Sequence, residues 1–138
     1  MPALDLDRID LLLLAELQRA GRQTNAELAE RVHLSASACL RRVQRLEREG
    51  AIAGYRAEVD PERLGLGLQA FVRVQLARHD ADAVAAFAGH VNDWDEVVAC
   101  HALTGDMDYL LQVVVSDLEH FSRFLLDRLL NQTGVADV

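Results

Sequence analysis

Residues 24–48 read TNAELAERVHLSASACLRRVQRLER, and this stretch decides the fold of the N-terminal half. Its first four residues, Thr24 to Glu27, fit a capping box. In that motif the Thr24 hydroxyl accepts the backbone amide of Glu27 while the Glu27 carboxylate reaches back to the amide of Thr24. We therefore expect a short helix that begins after Thr24 and ends near His33.

The helix that follows Ser35 has two contrasting sides. Ser35 is a good N-cap, and the helix is expected to run to about Glu49 before Gly50 ends it. On a helical wheel one side is apolar, and the opposite side carries small polar residues first and arginines after them. The apolar side holds Cys39, Leu40, Val43 and Leu46. The opposite side holds Ser37, Ala38, Arg41, Arg45 and Arg48, with Arg42 on its flank.

This distribution is what a helix in the DNA major groove requires. Small residues allow close approach to base edges, and arginines pair with guanine or phosphate. An arginine face is often only a solvated surface, but this one contains no acid, because Glu47 and Glu49 lie off it. It must be free of partners within its own subunit. The predicted base contacts are Ser37, Ala38, Arg41 and Arg42, the predicted phosphate contacts are Thr24, Asn25, Arg45 and Arg48, and Ser35 completes the DNA-binding set.

Another helix is predicted upstream, over Leu4 to Ala20, with only Glu16 interrupting its apolar stripe. Residues 51–59 are short and β-prone, so they form a strand or a linker. The predicted domains are thus a three-helix, winged-helix-like helix-turn-helix at 1–52, a strand or linker at 53–65, and a second domain at 66–138.

Composition excludes several protein classes. The chain has 138 residues, 51% of them hydrophobic and 26% charged, which is typical of a folded domain rather than a disordered one. No apolar run approaches the length of a membrane helix, the first residues lack a signal-peptide pattern, and two cysteines make no disulfide framework. We expect a cytoplasmic protein without a membrane partner. The net charge of −8 lies mostly in residues 61–138, which contain five Arg and twelve Asp or Glu residues.

The second half predicts a β-α-β-β-α order, the ferredoxin-like split βαβ, so the fold class is α+β. Its predicted elements are strands at 68–77, 96–103 and 109–115, helices at 82–91 and 118–130, and a closing strand that opens at Gly134-Val135 and is incomplete at Val138. Two helices can cover only one face of this sheet. Since the middle strands are apolar on both sides, the uncovered face should seek a partner. We expect subunits to pair through this face or through a sheet edge, giving at least a dimer.

Several motifs together resemble the Lrp/AsnC family of amino-acid-responsive regulators. They are Asn25-x-x-Leu28-Ala29, Leu34-Ser35, Leu46-Glu47-x-x-Gly50-x-Ile52 and Thr104-Gly105-Asp106-x-Asp108-Tyr109. His33 stands where the family often has Gly, but His tolerates positive φ. The resemblance implies double-stranded DNA as a partner, a nucleoid-associated location, homodimers that assemble into tetramers or octamers, and an effector, usually an amino acid, bound where sensing domains meet.

The same resemblance implies an effector site at the loop after the second strand. A free amino acid needs amides or a cation for its carboxylate and a carboxylate for its ammonium group. By composition alone this loop is a hairpin turn. As an effector loop it contributes Thr104, Gly105, Asp106 and Asp108, and the turn after the last helix contributes Thr133 and Gly134.

Two other functions are open to this sequence. One is an architectural DNA-binding protein of the same fold without an effector. The other is a small enzyme that uses His101, Asp106 and Asp108 as acid–base groups, which leaves the first 60 residues unexplained. No HxxxH or CxxC spacing is present, so we expect neither a metal nor a cofactor. The regulator remains the preferred interpretation, and it is not an enzyme.

Overall fold

Three helices form the N-terminal unit of the protein: α1 (Arg8–Arg19), α2 (Asn25–Arg31) and α3 (Ala36–Arg48). The structure is a computed structural model that describes residues 3–138, and this unit ends at Glu58. The prediction that α1 starts at Leu4 is wrong, because Asp7 is its N-cap. The Asp7 carboxylate accepts the Asp10 amide at 2.9 Å, and the Asp10 carboxylate accepts the Asp7 amide at 3.1 Å. These reciprocal bonds satisfy the first free amides and set the helix start.

Both caps predicted for the next two helices are present. The Thr24 hydroxyl accepts the Glu27 amide at 3.2 Å, and the Glu27 carboxylate accepts the Thr24 amide at 2.8 Å. Ser35 accepts the Ala38 amide at 3.2 Å and starts α3. In the turn between α2 and α3, His33 has a φ of 57°, which is the left-handed conformation. This is the positive φ that His was expected to tolerate at this position.

The core of this unit lies between the three helices. Its buried members are Leu13, Leu28, Ala29, Val32, Cys39 and Leu46. The assignment of Leu40 to the buried side of α3 is wrong, because 45% of Leu40 is exposed. Leu40 is rotated by about 100° from Cys39 around the helix axis, which turns it away from the other helices.

A buried carboxylate joins α1 to α3. Asp10 is fully buried, and it is the one buried charged residue among those described. It accepts hydrogen bonds from Arg42 Nη1 at 2.9 Å and from Arg45 Nη2, while Arg42 also donates to Asp7 at 2.6 Å. We call Asp10, Arg42 and Arg45 the Asp10 clamp. The Asp10 amide and Arg42 together lower the pKa of Asp7, and the hydrogen bond to Asp7 raises the pKa of Arg42.

The segment after α3 is a linker rather than a strand. Within the described part of the chain, no strand forms between Ala51 and Gly67. An extended segment becomes a strand only when a neighbouring strand shares its backbone hydrogen bonds, and residues 3–58 provide helices but no such strand. A single 3₁₀ turn at Glu62–Leu64 precedes the first strand.

The second unit begins at Val59 and has the predicted ferredoxin-like order. Its elements are β1 (Leu68–Leu76), α4 (Ala81–Asn92), β2 (Val97–Ala102), β3 (Tyr109–Val115), α5 (Leu118–Arg123) and β4 (Val135–Asp137). The last helix was predicted as one piece to Leu130, but α5 continues as a π-helical segment over Phe124–Leu129. The antiparallel sheet has the strand order β2-β3-β1-β4.

One face of the sheet forms the core and the other does not. The alternate residues Val72, Val74 and Leu76 of β1 are buried, as the period of two predicted. They pack with Leu111, Val113 and Val115 of β3 and with Phe87, Val91, Trp94, Phe124 and Leu129. Phe71, on the opposite face of β1, is 63% exposed. The helices therefore leave one sheet face open, as predicted.

Replacing Asp10 tests how much the clamp stabilises the protein. Asp10→Ala leaves Arg42 and Arg45 without their shared buried carboxylate, and removing one partner of a buried ion pair costs about 3–5 kcal/mol. Because both arginines are partly exposed, we expect a loss of about 3 kcal/mol in the free energy of unfolding, measured by urea denaturation. Asp5→Ala, at an exposed carboxylate, is the matched control. Equal stability of the two variants would contradict the clamp.

Candidate nucleic-acid interface and ligand loop

The outward surface of α3 carries two free arginines. Arg41 and Arg48 are exposed, and no carboxylate oxygen of residues 3–138 lies within 4.0 Å of either guanidinium. Ser37 is exposed at the start of the same surface. A nearby acid, Glu47, is held by a 2.8 Å hydrogen bond from the Tyr55 hydroxyl, and burial together with Glu47 raises the pKa of Tyr55 to about 12. Among the described residues, the outward surface of α3 therefore presents two guanidinium groups that no carboxylate of the chain pairs with.

The requirement that all four predicted arginines be free of partners in their own subunit fails for Arg42 and Arg45. Both belong to the Asp10 clamp, and Arg45 also lies 3.9 Å from Glu49. The sequence reasoning considered acids on α3 itself, whereas the neutralising carboxylates come from α1. The net charge that this helix offers to a polyanion is smaller than predicted.

The predicted contacts at the helix starts lie close together. The Asn25 side-chain amide donates to the Ala36 carbonyl at 2.8 Å, which ties the start of α2 to the start of α3. Ser35 and Ser37 have their hydroxyl oxygens 3.4 Å apart. The predicted polar residues at the starts of α2 and α3 are thus held near one another by Asn25, whose amide already has a partner.

Three residues that shape this surface, one buried beneath it and two on it, were missed by the sequence reasoning. Asp10 was overlooked although Asp7 and Asp10 have capping-box spacing and Asp10 interrupts an apolar helix. Leu40 was placed in the core. Gln44 was not assigned, yet it is exposed on the outward side of α3.

In the second unit, the loop between β2 and β3 is anchored to β1 by Asp108. Its carboxylate accepts the Leu76 amide at 2.7 Å and lies 3.1 Å from His79 Nε2, while its own amide donates to the Val74 carbonyl at 2.9 Å. The Gln75 side chain donates to the Asp106 carbonyl at 3.0 Å. Asp108 is thus already engaged, and the imidazole bonded to it is that of His79 rather than His101.

The second predicted part of the effector site reaches the same end of β1. The Gly134 carbonyl accepts the Ala77 amide at 2.8 Å, next to the Leu76 amide that Asp108 holds. Gly105 and Gly134 have φ of 117° and 95°, which favour glycine. Thr104 and Thr133 are exposed near these turns. The structure therefore brings Asp108 and Gly134 together at two consecutive amides, those of the last residue of β1 and of the residue after it.

Asp106 lines a cavity of about 390 Å³ within this unit. The cavity also contains one cation, Arg73, and a second carboxylate, Asp137. Its apolar lining comes from Phe71, Val72, Met107, Phe121, Leu125 and Val138. A cavity with both charge signs and an apolar wall has the groups that a free apolar amino acid requires. The sequence reasoning found Asp106 but not Arg73, because β1 and the loop meet only in the folded chain.

Two further findings concern other kinds of site. Across residues 3–138, no three His, Cys, Asp or Glu side chains lie close enough together to hold a metal ion. Over the same residues, none of the helices combines the length and apolar character that a bilayer crossing requires. Cys39 is buried, and burial raises the pKa of its thiol.

Comparison with known proteins covers both units. A model described as "Winged helix-turn-helix DNA-binding" matches residues 6–53, and one described as "Lrp/AsnC ligand binding domain" matches residues 69–138. The leucine-responsive regulatory proteins of Salmonella typhimurium and Escherichia coli K12 are each 44% identical to this chain over 136 residues, which is 99% of this chain and 83% of theirs.

Solved structures agree with these matches. A transcriptional regulator from Neisseria meningitidis, solved as its L-Met complex, has 50% identity and a TM-score of 0.92, covering 96% of this chain and 86% of that one. An AsnC family regulator from Agrobacterium tumefaciens has 33% identity and a TM-score of 0.89 over the same shares of the two chains. The residues matched and the identity over nearly the whole chain show that this protein belongs to the Lrp/AsnC family of transcription regulators.

Proposed function

We propose that the protein is an amino-acid-responsive regulator that binds double-stranded DNA through α3 and an apolar amino acid through the cavity beside Asp106. The observation that carries the proposal is that each unit presents the groups for a different ligand. One unit presents unpaired arginines on a helix, and the other holds Arg73, Asp106 and an apolar wall in one cavity. We propose that it acts at chromosomal DNA in the cytoplasm.

For DNA, we propose that Ser37, Ala38 and Arg41 meet base edges and that Arg48 meets phosphate. Small residues at the start of α3 permit close approach, and Arg41 can pair with guanine in a bidentate manner. Thr24, Asn25 and Ser35 contribute polar contacts at the rim. Arg42 and Arg45 stay on Asp10 in this proposal, so they orient the helix instead of contacting DNA.

For the effector, we propose that Arg73 takes the amino-acid carboxylate and Asp106 takes the ammonium group. The apolar side chain then rests against Phe121 and Leu125. Asp108 and Gly134 position the loop and the turn, and Thr104, Gly105 and Thr133 border the site. A leucine-responsive relative and a relative solved with L-Met support an apolar amino acid as the ligand.

We also propose a homodimer formed through the open sheet face, which can assemble further into tetramers or octamers. Phe71 on β1 is 63% exposed and Val98 on β2 is 56% exposed, although both are apolar residues of strands in the sheet. Covering such apolar surface removes it from water and favours association.

Replacing Arg41 tests the DNA contact. If Arg41 pairs with a base, Arg41→Ala should weaken specific binding by about 1–3 kcal/mol and relax the preference at one position of the site. Binding is measured by fluorescence anisotropy with a duplex obtained by in vitro selection from a random library. Arg123→Ala, which removes an exposed arginine of the second unit, is the charge-matched control. Unchanged affinity and preference in Arg41→Ala would contradict the proposal.

Thermal shift with the twenty amino acids tests the effector site. A ligand at about 100 times its Kd stabilises the folded protein by about 2.7 kcal/mol, so leucine or methionine should raise Tm by several degrees. We expect Arg73→Gln and Asp106→Asn to abolish the shift and Asp95→Asn, at an exposed carboxylate, to retain it. Sedimentation of each variant checks that the oligomer is unchanged. If no amino acid raises Tm, the effector-independent architectural function is the better description.

A further inference from the structure

The Asp10 clamp changes which residues of α3 can read sequence. Arg42 and Arg45 of α3 are ion-paired with Asp10, so the outward surface of α3 is not uniformly cationic. Residues at i, i+3, i+4 and i+7 share one side of a helix and can face a major groove together. In α3 these are Ser37, Leu40, Arg41 and Gln44, and all four are exposed.

Gln44 lies close to the centre of this stripe. It is rotated by about 20° from Ser37 around the helix axis, and the buried residues Cys39 and Leu46 lie on the opposite side. Its side-chain amide makes no hydrogen bond to any of residues 3–138. A carboxamide carries a donor and an acceptor, which match N6 and N7 of adenine, whereas guanine offers two acceptors in the same groove.

Leu40 adds an apolar group next to Gln44. A single exposed leucine is ordinary on a protein surface, but this one lies between Ser37 and Gln44 on the side of α3 that faces away from the core. The C5-methyl group of thymine is the apolar feature of the major groove. Leu40 and Gln44 are one helical turn apart, so they reach the same base pair or adjacent pairs.

From these observations we propose that α3 selects an A·T step, with the Gln44 carboxamide bonded to adenine N6 and N7 and Leu40 packed against a thymine methyl group. The inference rests on the proposed entry of α3 into the major groove. It adds two uncharged residues to the base contact proposed for Arg41, while Arg48 contributes affinity through phosphate.

The test uses the full chain and a duplex selected by it from a random library. Wild type should enrich adenine at one position, and Gln44→Ala should lose that preference by about 10- to 100-fold. Gln44→Glu should prefer cytosine there, because a carboxylate accepts from cytosine N4. An adenine analogue with carbon in place of N7 should weaken wild type by about tenfold and leave Gln44→Ala unaffected. Gln18→Ala, at an exposed glutamine of α1, is the control.

A second probe isolates Leu40. Replacing thymine by deoxyuridine removes only the methyl group and should weaken wild type by about fourfold, with no further effect on Leu40→Ala. Leu12→Ala is the matched control, because Leu12 and Leu40 are each 45% exposed.

Two outcomes overturn the inference in different ways. If Arg41→Ala weakens binding while Gln44→Ala and Leu40→Ala keep the wild-type preference and the wild-type response to both analogues, α3 enters the groove but these residues do not read it. If Arg41→Ala also leaves binding unchanged, the groove placement itself is overturned along with the inference.

Discussion

The DNA-reading unit depends on a single carboxylate, that of Asp10. It is fully buried between α1 and α3, and the hydrogen bonds from Arg42 and Arg45 compensate for its loss of hydration. The same bonds fix the rotation of α3 against α1, because both guanidinium groups converge on one point. They also divide the arginines of α3 into two that are ion-paired with Asp10 and two, Arg41 and Arg48, that we propose contact DNA. One interaction therefore sets the orientation of α3 and the composition of its outward surface.

In the sensing unit, too, a carboxylate fixes one segment of the chain against another. The Asp108 carboxylate and the Gly134 carbonyl accept hydrogen bonds from two consecutive backbone amides at the end of β1. These bonds fix the loop and the turn that border the proposed effector site. Asp108 anchors the loop through its carboxylate, whereas Asp106 does so only through its backbone carbonyl, which accepts from Gln75. Asp10, which sequence reasoning overlooked, and Asp108, which it treated as a ligand contact, both have structural roles. In each unit, nearby residues are left for the proposed ligand.

Features with local causes could be predicted from the sequence. The caps at Thr24 and Ser35, the positive φ of His33 and the alternation of β1 each depend on residues within a few positions of one another, and all are present. The start of α1 was misplaced because a reciprocal cap between Asp7 and Asp10 outweighs helix propensity further upstream. The Asp10 clamp joins residues more than thirty positions apart, so no helical wheel could reveal it. Arg73 was missed for the same reason, since its cavity combines β1, α5 and a loop.

We propose that the Asp10 clamp withdraws Arg45 from DNA and leaves Arg48 available. The dependence of DNA affinity on salt counts the phosphates that a protein neutralises, with a log–log slope of about −0.9 per phosphate. Measuring that slope for Arg48→Gln and Arg45→Gln compares two arginines of one helix directly. We expect a slope shallower by about 0.9 for Arg48→Gln and an unchanged slope for Arg45→Gln. An equal change in both variants, or a change only in Arg45→Gln, would contradict it.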